Sequence, residues 1–89
     1  MRYVNHKSKR FHQCSATIHT YELEDGTKQI EFWSYSTPII VEVGGKIYEN
    51  NCSYSRTTAK QKSQYCSEYG IDLRNSEWRT EEELRAMCL

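Results

Sequence analysis

The chain holds a single proline, two phenylalanines and four glycines among its 89 residues, and no apolar run approaches the roughly 18 residues of a membrane span. The last absence excludes a transmembrane helix. With proline and glycine this scarce, the chain has no repeats and no low-complexity linker. Net charge is absent too: 12 Lys and Arg balance 12 Asp and Glu. That argues against a dedicated nucleic-acid binder, which displaces counterions with a basic surface. There is no Gly-rich phosphate loop, no HExxH and no Gly-x-Ser-x-Gly, which removes the enzyme classes those signatures mark. The opening residues are basic and polar rather than a secretory leader, so a reduced, cytoplasmic setting is expected.

What is present begins with four cysteines, Cys14, Cys52, Cys66 and Cys88, one per expected element. A chain this short buries only about 60% of its unfolded surface, so its core gains from any cross-link. One tetrahedral Zn²⁺ held by all four would supply it, with His12 as an alternative ligand two residues before Cys14. The spacing lacks a Cys-x-x-Cys knuckle, and buried free thiols or disulfides account for the same residues. A cysteine nucleophile would need a histidine base, but His6, His12 and His19 crowd the N-terminal part of the chain. No enzyme is expected.

Seven tyrosines and two tryptophans outnumber the phenylalanines, a balance that suits thin cores and protein contacts. Residues 1–12 read as a basic arm (Arg2, Lys7, Lys9, Arg10), and 13–89 as one compact domain. Cys14–Leu23 and Thr27–Ser36 are β-rich around Asp25-Gly26. A two-residue turn there sets Tyr21 opposite Ile30, His19 opposite Phe32, Ile18 opposite Trp33 and Ala16 opposite Tyr35. Gly44-Gly45 closes a second hairpin, with Val41 opposite Tyr48 and Glu42 opposite Ile47.

Thr58 and Gln61 form a capping box for a helix to Tyr69, with Ala59, Ser63, Cys66 and Tyr69 inward. Gly70 then suits the left-handed C′ position, with Ile71 packing back on Cys66. Thr80 and Glu83 start a second, acidic helix. The expected fold is α+β: an antiparallel sheet of about four strands in two hairpins, followed by two helices on one face.

The stretch Phe32-Trp-Ser-Tyr-Ser-Thr-Pro-Ile, the Gly45-Lys-Ile-Tyr48 hairpin and Tyr54-Ser-Arg-Thr-Thr-Ala-Lys-Gln61 resemble a family of small uncharacterised domains encoded by phages and other mobile elements. The resemblance spans residues 32–70 and rests on "YSYxTPI", Gly-Lys-x-Tyr and "YSxTTxKH" patterns; Gln61 stands in place of the family's His. No functional residue carries over. The resemblance implies a phage protein, and small non-catalytic phage proteins include anti-CRISPR inhibitors of Cas9-type nucleases. On that footing the expected activity is stoichiometric binding to a host defence effector. Glu81, Glu82 and Glu83 would meet a basic channel, and Trp33, Tyr35 and Trp78 would anchor the contact. Neither a membrane nor direct nucleic-acid binding is expected. The rival reading is a small metal-stabilised nucleic-acid-binding regulator, which would bind DNA or RNA alone with a steep salt dependence.

Overall fold

Alternating β-branched and aromatic residues build most of the sheet, and the computed structural model describes residues 3–12, 15–51 and 56–89. Strands β1 (Tyr3–Arg10), β2 (Ala16–Leu23), β3 (Lys28–Ser34), β4 (Thr37–Val43) and β5 (Lys46–Asn50) run as an antiparallel meander. Helix α1 (Arg56–Tyr69) and a 3-10 turn at Leu73–Asn75 then cross to β6 (Glu77–Arg79), which pairs parallel to β5. Helix α2 (Glu81–Met87) follows. The α+β class is as expected, but the sheet is mixed and six-stranded, in the order β1-β2-β3-β4-β5-β6.

The two additional strands come from segments read as arm and loop. Tyr3–Arg10 pairs along β2 although all eight of its residues are exposed. An outer strand needs only its ladder hydrogen bonds, so it carries no alternation of buried and exposed residues. β6 is three residues long, too short for any pattern.

The β2–β3 turn departs from expectation by one residue. Glu24-Asp25-Gly26 forms a three-residue loop, with Gly26 N–H donating to Leu23 O and Gly26 at φ +87°. Asp25 Oδ1 accepts from Thr27 N–H and fixes the loop. Ile18 therefore opposes Phe32 and His19 opposes Glu31. A slip of one residue exchanges the faces, because side chains alternate with period two. The Gly44-Gly45 hairpin has the expected register, Val41 against Tyr48 and Glu42 against Ile47.

Each helix takes its own face of the sheet, rather than both sharing one. Strand β3 explains why: Ile30 and Phe32 point to one side, and Gln29, Glu31 and Trp33 to the other. On the first face Tyr65 of α1 stacks on Phe32 (ring centroids 4.3 Å, 12° between planes), and Phe11 meets both rings edge-on. Ala16, Ile18, Ile39 and Ile40 complete that core. Ile39 and Ile40 are neighbours in sequence, yet both lie inside it. The register shift between Phe32 and Trp33 sets Ile40 against Phe32 and Pro38 against Trp33, leaving Ile39 as the extra residue of a bulge. Pro38 thus sits where the ladder is already broken.

α1 turns Thr58, Gln61 and Tyr65 inward, a 3-4 spacing, instead of Ala59, Ser63 and Tyr69, which are exposed. Thr58 and Gln61 are buried because both meet Ser34 Oγ, at 3.1 and 2.9 Å. Thr58 is thus an interior residue of α1 rather than its cap. The helix ends as expected: Gly70 takes φ +65°, and Ile71 N–H donates to Cys66 O at 2.9 Å.

Candidate partner-binding surface

The second face of the sheet is organised around Glu31, fully buried in an internal strand. A buried carboxylate needs donors, and the residues two before and two after on the same face supply them. Trp33 Nε1 donates to Oε1 (2.9 Å) and Gln29 Nε2 to Oε2 (2.9 Å). Leu89 N–H, beyond the end of α2, donates to Oε2 at 2.8 Å. Gln29 Nε2 also reaches Met87 O, and Tyr21 Oη donates to Leu89 O at 3.0 Å. These bonds fasten the C-terminal turn to the middle of the sheet. Cys88 lies beside them, its thiol donating to Leu84 O. Burial, and then the Glu31 charge, push that thiol up to about 12, so it stays protonated at neutral pH.

α2 is short and begins with three consecutive acids. Thr80 Oγ1 accepts from Glu83 N–H, and the Glu83 carboxylate accepts from Thr80 N–H, the capping box expected from sequence. Leu84 is the helix's buried residue. Arg85 then joins three parts of the face. Its Nε lies 3.2 Å from Glu81 Oε2, its Nη2 donates to Ser36 O at 2.8 Å, and its guanidinium sits 5.8 Å from the Trp33 ring centroid. Ser36 belongs to the two-residue β3–β4 turn, whose other member is Tyr35.

Tyr35 takes φ +55° and is 67% exposed. In a two-residue hairpin turn where positive φ falls on the first residue alone, glycine is the favoured occupant. A bulky side chain in that region costs on the order of 1 kcal/mol. The exposed ring is thus carried on a turn held at an energetic cost, and Arg85 links that turn to Glu81.

Arg85 thus brings together three of the six residues singled out for partner contact: Trp33 beneath it, Tyr35 at the adjoining turn and Glu81 as its ion-pair partner. Glu82 is exposed on the same first turn, and Glu83 is engaged in the cap. Trp78 lies apart. It is 57% exposed on β6, with Lys62 of α1 over its ring at 5.3 Å, on the opposite face. There Glu49, 3% exposed, accepts from Lys62 Nζ and from Ser76 Oγ.

Cys66 packs with the α1-side core, whereas Cys88 lies on the α2 side beside Glu31. The sheet separates these two thiols, so they do not meet at one tetrahedral centre. Cys14 and Cys52 fall outside the described residues. Among the described residues no cluster of three or more His, Cys, Asp or Glu side chains is placed to hold a metal ion.

Glu31 and Arg85 were not singled out from the sequence. The signal for Glu31 was the Gln29-x-Glu31-x-Trp33 alternation, polar or amphipathic residues at period two inside an otherwise apolar strand; Arg85 carried no signal of its own. Further along the same face His19 Nδ1 and His6 Nε2 lie 3.0 Å apart, and His6 stacks on Tyr21 at 4.3 Å. Burial and the neighbouring His6 lower the His19 pKa, against an opposing pull from Glu31. With the folded value depressed, the unfolded state binds more protons. The His19 contribution to stability is complete above pH 6.5 and is lost as pH falls through the folded pKa. The urea midpoint is expected to be lower at pH 5.5 than at 7.5, and His19→Gln should flatten that difference. An equally steep decline in His19→Gln would assign it to other groups. In sequence and in fold, the chain matches no family model, no curated protein and no solved structure.

Proposed function

We propose that the chain is a small inhibitor that binds a host defence effector stoichiometrically, of the anti-CRISPR type, with a Cas9-type nuclease as the first target to test. The observation that supports this reading is Tyr35. A large exposed ring held at positive φ, in a turn that Arg85 ties to Glu81 of α2, is costly for the fold alone and suits a contact anchor. The acidic turn complements the basic channel that such a nuclease offers its heteroduplex. Trp33 supports the patch from below through its bond to Glu31.

The test is a titration of purified nuclease, loaded with guide, by the chain, with cleavage read at each ratio. Inhibition should be complete near one chain per effector. Tyr35→Gly should raise or preserve the melting temperature, because the turn relaxes, while weakening inhibition by about tenfold or more. Glu82→Lys, at an exposed position outside the cap, should weaken it as well. Loss of both stability and inhibition in Tyr35→Gly would make the ring a structural residue. Recovery of nucleic acid alone in a pull-down would overturn the reading.

A further inference from the structure

Strand β1 is an outer strand of the sheet and offers its far edge along eight residues, all exposed. The opposite edge, β6, is only three residues long. An open edge of that length is a template for another strand, so its side chains decide what pairs there. Lys7, Lys9 and Arg10 lie on β1, which carries no acid between Tyr3 and Arg10. Residues paired across a ladder share a face, so Lys7 and Lys9 stand beside Thr20 and Ile18 on the α1 side. Lys28 adds a cation to a groove lined by Asn5, Lys7, Thr20 and Glu22. Arg10, with Thr17, points to the other side.

The two ends of the edge differ. Tyr3 and Val4 are exposed apolar side chains at the start. At the finish, Lys9, Arg10, Phe11, His12, Glu68 and Tyr69 line an open depression of about 550 Å³. A second copy adding its own β1 would bring two such basic strands together, which like charge opposes. A strand with acids at alternate positions would instead place its carboxylates against Lys7 and Lys9 while its backbone completes the ladder.

We infer that β1 receives an extended acidic segment of a protein partner as a seventh strand. This interface is distinct from the Tyr35 patch and does not depend on it.

The probe is a peptide of alternating Glu and Thr, long enough to span β1, added to the full chain. Its control is the same Glu-Thr peptide N-methylated at every amide, which keeps the charge and removes the donors needed for a ladder. Binding of the Glu-Thr peptide should slow amide exchange within β1. The N-methylated peptide should bind about tenfold more weakly, and the Lys7→Gln/Lys9→Gln variant should lose a similar factor for the Glu-Thr peptide. Equal affinity for both peptides would reduce the edge to a charged surface and overturn strand addition. Tighter binding of an oligothymidine than of the Glu-Thr peptide would reassign the edge to nucleic acid. A concentration-dependent dimer that protects β1 without peptide would assign it to a second copy. Unchanged exchange across β1 with the Glu-Thr peptide present would refute the inference outright.

Discussion

Glu31→Ala is expected to destabilise the protein by about 3–5 kcal/mol, a large share of the 5–15 kcal/mol typical of a domain. The substitution removes the acceptor for Trp33 Nε1 and Leu89 N–H and one of the two acceptors for Gln29 Nε2. The two orphaned donors are part-buried, so each costs up to about 1–3 kcal/mol, and the missing buried side chain leaves a cavity besides. The damage should begin locally. Without Glu31 the turn Met87–Leu89 keeps its bonds from Gln29 and Tyr21 but loses the one at its centre. Limited proteolysis should therefore cut near the C-terminus of Glu31→Ala under conditions in which the parent resists, before the sheet melts. Glu31→Gln retains an acceptor oxygen and should fall between the two. If Glu31→Ala had the parent's urea midpoint and protease resistance, the carboxylate would not be what holds α2 in place.

Tyr65→Ala is expected to cost about 3–5 kcal/mol as well, through packing rather than through a lost charge. The ring lies flat on Phe32 and edge-on to Phe11, and it is the largest side chain that α1 buries. The rest of that helix face is the half-buried Cys66 with Thr58 and Gln61, whose bonds to Ser34 orient the helix but contribute little apolar area. Removing Tyr65 thus takes away most of the apolar grip of α1 on the sheet. Tyr65→Phe keeps the ring stack and should cost less than about 1.5 kcal/mol. Chemical denaturation of the pair separates the ring from the hydroxyl. A Tyr65→Phe protein as weak as Tyr65→Ala would show that the hydroxyl dominates.

The features legible in the sequence were those written in adjacent residues. Gly70 and Ile71 closed α1, Thr80 and Glu83 opened α2, and Gly44-Gly45 set the β4–β5 register, each through a few neighbouring backbone groups. Asp25-Gly26 misled by one residue because Gly26 serves a two-residue and a three-residue loop equally well. Asp25 decided between them by accepting from Thr27 N–H. β1 gave no signal because an outer strand in solvent needs no apolar alternation. The placement of the helices was hidden in β3, which is aromatic on both faces through Phe32 and Trp33, so one apolar side could not be told from two. The candidate surface was partly legible. Trp33, Tyr35 and Glu81 were singled out by residue type, but Arg85, which gathers them, looked like an ordinary helix cation. Trp78 had the same credentials as Trp33 and lies on the other face.

The order of strands in the sheet repeats their order in the chain. A growing polypeptide can accordingly zip β1 to β5 one hairpin at a time, each closure involving nearby residues and little loop entropy. Only the parallel β5–β6 pairing waits for a long crossover, and both helices belong to that late stretch. For the interval before they dock, Phe32 faces water on one side of the sheet and Trp33 on the other. The half-made protein is therefore stickier on both faces than the finished one, and conditions that delay α1 or α2, Glu31→Ala and Tyr65→Ala among them, lengthen the time it spends exposed to aggregation.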